Sequence, residues 1–308
     1  MALFVTSCSG TGTEDGGRRA DAGPSPVASC PGASNTGVPP GTVLQPMTAM
    51  TIRTAGTVIE NKEITGCVTI LANDVTIRRS RIFASVDCAI RTGFGDYSGI
   101  LIEDVEVDGS KNPNDHLLVG SAGYTCRRCN IHHSRTALGL AKDVVIEDSW
   151  VHDTDAATNA VHKAAASGHG SDNIVLRHNT LLCDAGAGDA DVTGGCSSAV
   201  SFYGTNSAIT NVRVEDNCMA TTGRYCTYAG SLDSKPYPTG SNIQYVNNHF
   251  LRTLSPYCGV SGPVAGWKNG NGNVWSGNVW DNTTDPVCID QAQCPSGLTC
   301  NNRGSCVQ

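Results

Sequence analysis

The stretch Asn173-Ile-Val-Leu-Arg-His-Asn-Thr-Leu181 decides the fold, because it recurs. Apolar and polar residues alternate along it, a period of two that belongs to strands and not to helices. The same unit reads Asp74-Val-Thr-Ile-Arg-Arg-Ser-Arg-Ile82, Gly99-Ile-Leu-Ile-Glu-Asp-Val-Glu-Val107 and Gly123-Tyr-Thr-Cys-Arg-Arg-Cys-Asn-Ile131. It continues as Asp143-Val-Val-Ile-Glu-Asp-Ser-Trp-Val151, Asn211-Val-Arg-Val-Glu-Asp-Asn-Cys-Met219 and Asn242-Ile-Gln-Tyr-Val-Asn-Asn-His-Phe250. A weaker copy closes at Trp280, and another opens the array at Ile64. The closing apolar residues lie 18 to 38 positions apart. One strand-turn-strand corner cannot bury its apolar face alone, whereas stacked corners form a continuous apolar column flanked by parallel sheets.

The expected fold is therefore all-β: a right-handed parallel β-helix over residues 36–285, about nine coils and roughly 40 Å long at ~4.8 Å per coil. Asn179, Asn217, Asn248 and Asn278 fall at one corner of successive coils. They are expected to accept the left-handed backbone of a tight turn and to stack their amides. A further strand precedes each unit, as in Ala137-Leu-Gly-Leu140, Val161-His-Lys-Ala164 and Ala199-Val-Ser-Phe-Tyr203. These strands should form one sheet whose outward row holds Arg91, Leu118, Gly139, His162 or Lys163, Ser201, Tyr203 and Thr227.

Gly is abundant at 35 residues while charged residues make up only 16%, a mix that favours β-structure with many turns. The net charge of −7 argues against broad binding to nucleic acid. Fifteen cysteines without a repeated zinc-type spacing indicate disulfides and an oxidising compartment. Val5-Thr6-Ser7-Cys8 fits a bacterial lipobox, although only seven residues precede the cysteine. If Cys8 carries a lipid anchor, fourteen cysteines remain for seven bridges. Cys30 with Cys67, Cys183 with Cys196, and Cys226 with Cys218 or Cys258 are candidate pairs. Residues 1–8 thus read as a truncated lipoprotein-like signal and residues 9–35, rich in Gly, Ser and Pro, as a tether. Residues 286–308 read as a small Cys-rich appendage, with Cys288, Cys294, Cys300 and Cys306 at six-residue steps. A monomer at the bacterial cell surface or outside the cell is expected.

Asn35-Thr-Gly-Val-Pro39, Ile64-Thr-Gly-Cys67 and the Asn173–Thr180 coil resemble bacterial right-handed parallel β-helix repeat proteins of the pectate-lyase-like group, over residues 29–283. That resemblance implies polysaccharide chemistry but does not choose among lyases, hydrolases and non-catalytic binders. Seven of the eight histidines lie between residues 116 and 178, so coil stacking should gather several of them. A lyase acting on a uronate polymer must neutralise a carboxylate, remove a proton and protonate the leaving oxygen. Lys163 as base, His162 as acid or base, and Arg91 or Arg177 as carboxylate clamp would supply those roles. His116, His132 and Tyr203 are further substrate-binding candidates. The Lys followed by Arg177-His178 is similar to chondroitinase-B-type lyases. Gly168-His169-Gly170 resembles the Gly-His-Gly of polygalacturonases, though the carboxylates those enzymes need on adjoining strands are missing. Asp153 and Asp155, with Asp184, Asp189 and Asp191 one coil later, are candidates for Ca²⁺. The doublet His132-His133 should point to opposite faces of a strand, which argues against both ligating one zinc ion. The competing functions are a non-catalytic carbohydrate-binding β-helix, marked by aromatic platforms, and an inverting glycoside hydrolase.

Overall fold

A computed structural model describes residues 30–84, 88–93, 95–109, 117–154, 162–186 and 195–308. It is a parallel β-helix with three faces. Each coil contributes one strand to each of three sheets, here I, II and III. Sheet I has ten parallel strands, from Gln45–Thr48 to Val279–Trp280. Sheet II has nine, from Thr51–Ile52 to Gly262–Ala265, and sheet III has nine, from Val58–Glu60 to Val274–Ser276. The repeat unit is the III-to-I corner. In the Asn173 copy the two strands are Asp172–Arg177 and Thr180–Cys183.

The fourth residue of each unit points inward from sheet III and stacks in register: Ile77, Ile102, Cys126, Ile146, Leu176, Val214, Tyr245 and Trp275. The ninth does the same from sheet I, from Ile82 through Val107, Ile131, Val151, Leu181, Met219 and Phe250 to Trp280. Every one of these is buried. Burying each large apolar side chain of these columns stabilises the fold by ~1.5–3 kcal/mol.

The corner between them works by a division of labour. Arg79, Asp104, Arg128, Asp148, His178, Asp216, Asn247 and Gly277 all have positive φ, between 46° and 65°. The next residue in each copy is buried at the corner. The Asn residues of the ladder are therefore not the left-handed ones, as their position had implied; the residue before each one takes that strain. The amides do stack. Asn217 Oδ1 accepts from the Asn179 backbone N–H at 3.0 Å and from Asn179 Nδ2 at 2.9 Å. Asn217 Nδ2 donates to Asn248 Oδ1 at 3.0 Å and to the Leu176 carbonyl at 2.9 Å. Asn248 repeats this pattern with Asn278 and Val214.

The outer face of sheet III carries alternating charges in one register: Glu60, Arg78, Glu103, Arg127, Glu147, Arg177 and Glu215. On sheet II the outward row differs from the expected one. Arg91, Gly139 and Ser201 belong to it, but their register partners are Gly120, Ser167 and Tyr228. Leu118 is fully buried, as an aliphatic side chain beside the core should be. Thr227 turns inward, where its hydroxyl meets the Tyr245 hydroxyl at 2.7 Å.

Seven disulfides join all fourteen cysteines between Cys30 and Cys306, while Cys8 lies outside the described residues. Cys183 pairs with Cys196 and Cys226 with Cys258. Cys30 pairs with Cys218 rather than Cys67, which takes Cys88 in the adjacent coil. The reason is that residues 30–37, of which 30–35 had been assigned to the tether by composition, lie along the outside of sheet I. The Pro31 carbonyl accepts from the Thr180 hydroxyl at 2.6 Å, and the Gly37 N–H donates to the Arg128 carbonyl at 2.8 Å. At the other end, Cys288–Cys300 and Cys294–Cys306 cross-link the appendage within itself. There the Gly304 carbonyl accepts from the Trp280 indole at 3.2 Å. No helix among the described residues is long and apolar enough to cross a membrane.

Asn217→Ala removes two donors and one shared acceptor from buried partners, and should cost on the order of 2–4 kcal/mol. Urea unfolding followed by circular dichroism measures it; a loss below ~1 kcal/mol would show that the amide stack is dispensable.

Candidate functional site

Sheet II faces a cavity of about 710 Å³. It spans the strands Thr136–Gly139, Lys163–Gly168, Cys196–Phe202 and Tyr225–Ala229, so at ~4.8 Å per coil its floor runs roughly 14 Å along the rod. Gly139, Ser167, Ser201 and Tyr228 form that floor in one register, the small residues leaving room above them. The Ser201 hydroxyl donates to the Ser167 hydroxyl at 2.9 Å. The walls come from the residues just before and just after the strands.

Four candidates from the sequence meet here: His162, Lys163, His169 and Tyr203. Lys163 begins its strand and is only 2% exposed, so it is a cavity group and not a solvated one. His162 stands beside it, exposed, with Nδ1 2.7 Å from the Ser197 hydroxyl. His169 and Tyr203 follow their strands, with rings 5.4 Å apart. The Tyr203 ring lies 5.1 Å from that of Tyr228, which lies 5.6 Å from Tyr225. The rings of His169, Tyr203 and Tyr228, on three successive coils, thus follow the long axis of the cavity, with Tyr225 outside its lining. Desolvation first, and the nearby Lys235 charge second, lower the pKa of His169 from its ordinary value.

Sequence reasoning missed two cations. Arg135 stands one residue before Thr136 as Lys163 stands one before Ala164, and Thr136 and Ala164 are in register. Burial lowers the Arg135 pKa, but a guanidinium remains charged. Lys235 sits on the loop after Tyr225–Ala229, with Nζ 5.1 Å above the Tyr203 ring. The repeat carries a signal for Arg135, a polar residue at the edge of a sheet II strand. No periodic signal marks Lys235, because its loop is outside the repeat. Among the described residues lining the cavity there is no carboxylate.

Other candidates lie elsewhere. Arg177 is on sheet III, in the charge ladder, where it bonds Glu147 together with Arg127. That position, on a different face of the rod and paired with Glu147, removes it as a clamp on a ligand in the cavity. Arg91 is exposed on sheet II but is not among the cavity's lining residues. His116 and Asp155 lie outside the described residues. Asp153 Oδ2 meets His152 Nδ1 at 2.9 Å. Asp184 accepts from the backbone N–H groups of Asp153 at 3.0 Å and Thr154 at 2.6 Å, so it caps that turn. His132 is on sheet I, stacked on His152 with ring centroids 5.2 Å apart, as coil stacking had led us to expect. Comparison with protein-family models, with curated proteins and with solved structures finds no match to this chain.

Two outcomes test this arrangement. Histidine NMR should place the His169 titration below the ordinary value of 6.5, and Lys235→Gln should raise it part of the way back. Arg177→Ala should lower stability by about 1 kcal/mol or less, since its pairing is half-exposed, and leave ligand binding at the cavity unchanged.

Proposed function

We propose that this protein is an exported, polysaccharide-active β-helix of the pectate-lyase-like kind, which binds a uronate-containing polysaccharide in the sheet II cavity and cleaves it by β-elimination. The carrying observation is the charge pattern of the wall. Arg135, Lys163 and Lys235 line it together with five serines, and no carboxylate appears among its described residues, in a chain of net charge −7. Such a wall attracts a ligand that is both anionic and rich in hydroxyl groups. A long open floor with aromatic rings along it suits a polymer better than a compact metabolite.

The elimination divides among these groups. Arg135 and Lys235 offset the uronate carboxylate and so acidify the adjacent C–H. Lys163 or His162 takes that proton, and Tyr203 returns one to the leaving oxygen. The low pKa of His169 means that it is neutral at pH 7 and serves better as a base or hydrogen-bond donor than as a standing cation. Calcium at Asp153 and Asp155 remains a proposal for bridging a second carboxylate.

One observation favours a second reading, binding without cleavage. The row from His169 through Tyr203 to Tyr228 is a stacking platform that needs no catalytic group.

The test incubates the purified protein with pectate, alginate, glucuronan and chondroitin, with and without Ca²⁺, and follows the ultraviolet absorbance of the unsaturated product. We expect a rise with at least one polymer that Lys163→Met abolishes, in a variant whose circular dichroism is unchanged. Binding of a polymer that Tyr203→Ala weakens, with no product formed, supports the second reading instead. Absence of both binding and product with every polymer would sink the proposal.

A further inference from the structure

The outer face of sheet I carries a cluster that the cavity does not use. Asp108 and His132 occupy one register position in adjacent strands, and His152 follows in the next. His133 comes directly after His132 and was expected on the opposite face. It is not extended, however: its φ is 54°, a left-handed turn that brings its ring back beside its neighbour. The two Nδ1 atoms are 2.7 Å apart. Asp108 Oδ1 lies 3.0 Å from His133 Nδ1 and 3.7 Å from His132 Nδ1.

At these separations only one shared, three-centre hydrogen bond, from His133 Nδ1, can link all three atoms. Glu106 Oε1 is 3.4 Å from His132 Nε2, on the far side of that ring. A neutral His132 therefore holds its proton on Nε2, and Nδ1 presents a lone pair. His133 Nδ1 carries at most one proton in its ring plane, and two acceptors face it. A cation placed between the three atoms would accept all three lone pairs. Tetrahedral zinc with bonds of about 2.0–2.1 Å has ligand atoms about 3.3 Å apart, and the three separations here bracket that value. A carboxylate on the second nitrogen of a ligating histidine is also the usual way such a ring is oriented.

We propose that Asp108, His132 and His133 form a binding site for one divalent transition ion of the zinc type, with Glu106 orienting His132. Two imidazoles and one carboxylate suit such an ion better than calcium or magnesium, which take oxygen donors. His152 buttresses the site without joining it. Its ring stacks on His132 and on Trp150, while its nitrogens meet Asp153 Oδ2 and Asn130 Oδ1, each at 2.9 Å. His132 and Asp108 are largely buried, whereas the His133 side chain is 45% exposed. The ion thus keeps a solvent-facing position for water or another ligand. The site is independent of the polysaccharide reading, because it lies on another sheet.

The experiment uses the full chain, treated with chelator under non-reducing conditions so that the disulfides stay closed. Zn²⁺ binding is followed by calorimetry and Co²⁺ binding by visible absorbance. We expect one equivalent of zinc and the intense visible bands of four-coordinate cobalt. His133→Ala and Asp108→Asn should each weaken zinc binding by at least ~10-fold. His249→Ala, a histidine far along sheet I, should bind as the unaltered chain does. Circular dichroism establishes that each variant is folded. No saturable binding by the unaltered chain overturns the proposal, and so does binding that survives undiminished in both ligand variants.

Discussion

Parallel hydrogen bonding between coils is the constraint on which everything else depends. Each strand pairs with the equivalent strand of the coils before and after it, so a residue type suited to one position must recur, coil after coil, at that same position. Strand edges satisfy themselves by this pairing, but corners do so incompletely. There the chain turns; the left-handed residues, such as Asp148, His178 and Asp216, still donate to the next coil's backbone, but the N–H of the buried residue that follows each has no backbone ladder to join. The side-chain amides from Asn179 to Asn278 provide that ladder, and a left-handed residue before each one sets the bend. Toward the N-terminus Ser149 takes over: its backbone N–H donates to Asn179 Oδ1 and its hydroxyl accepts from the Cys129 N–H. A serine hydroxyl reaches less far than an amide, and this half of the rod has the smaller coils.

Function is placed by the same periodicity. Interior positions tolerate little change, because every residue there touches its counterparts above and below. The outward rows are free to vary, and each sheet has used that freedom differently. Sheet III carries alternating charges, sheet II a floor of Gly, Ser and Tyr beneath a cationic wall, and sheet I a histidine column. Among the described residues, the segments 203–209 and 230–240 that leave sheet II give the cavity Asn206, Leu232, Ser234 and Lys235, so part of its wall comes from stretches with no counterpart in the repeat.

The fold and both inward columns are legible in the sequence, since period-two alternation repeated over nine units has few other physical meanings. The gathering of histidines could also be read, because stacking turns a separation of 20 residues between His132 and His152 into a ring contact. What could not be read was everything set by backbone conformation at single residues. His133 looked like the opposite face of a strand until its positive φ was known. Leu118 and Thr227 lie at strand starts and middles where the phase of alternation is ambiguous by one residue, and one residue reverses the face. Lys235 and the Cys30 pairing depend on non-repeating segments, for which periodicity carries no information.

The segment around Cys30 also changes how the rod bears load. Residues 30–37 run along the outside of sheet I from the strand containing Cys218 back toward the first coil, and a disulfide fixes them at the far end. Tension on the chain upstream of Cys30 does not reach the first coil, the one most easily peeled from a solenoid. It passes through sulfur to the strand Cys218–Thr221, which has two further strands of sheet I beyond it and seven before it. A tether at that end would hold the rod as a rope tied around its far third holds a log: the free coils hang unloaded, and unravelling would have to begin where the stack is thickest.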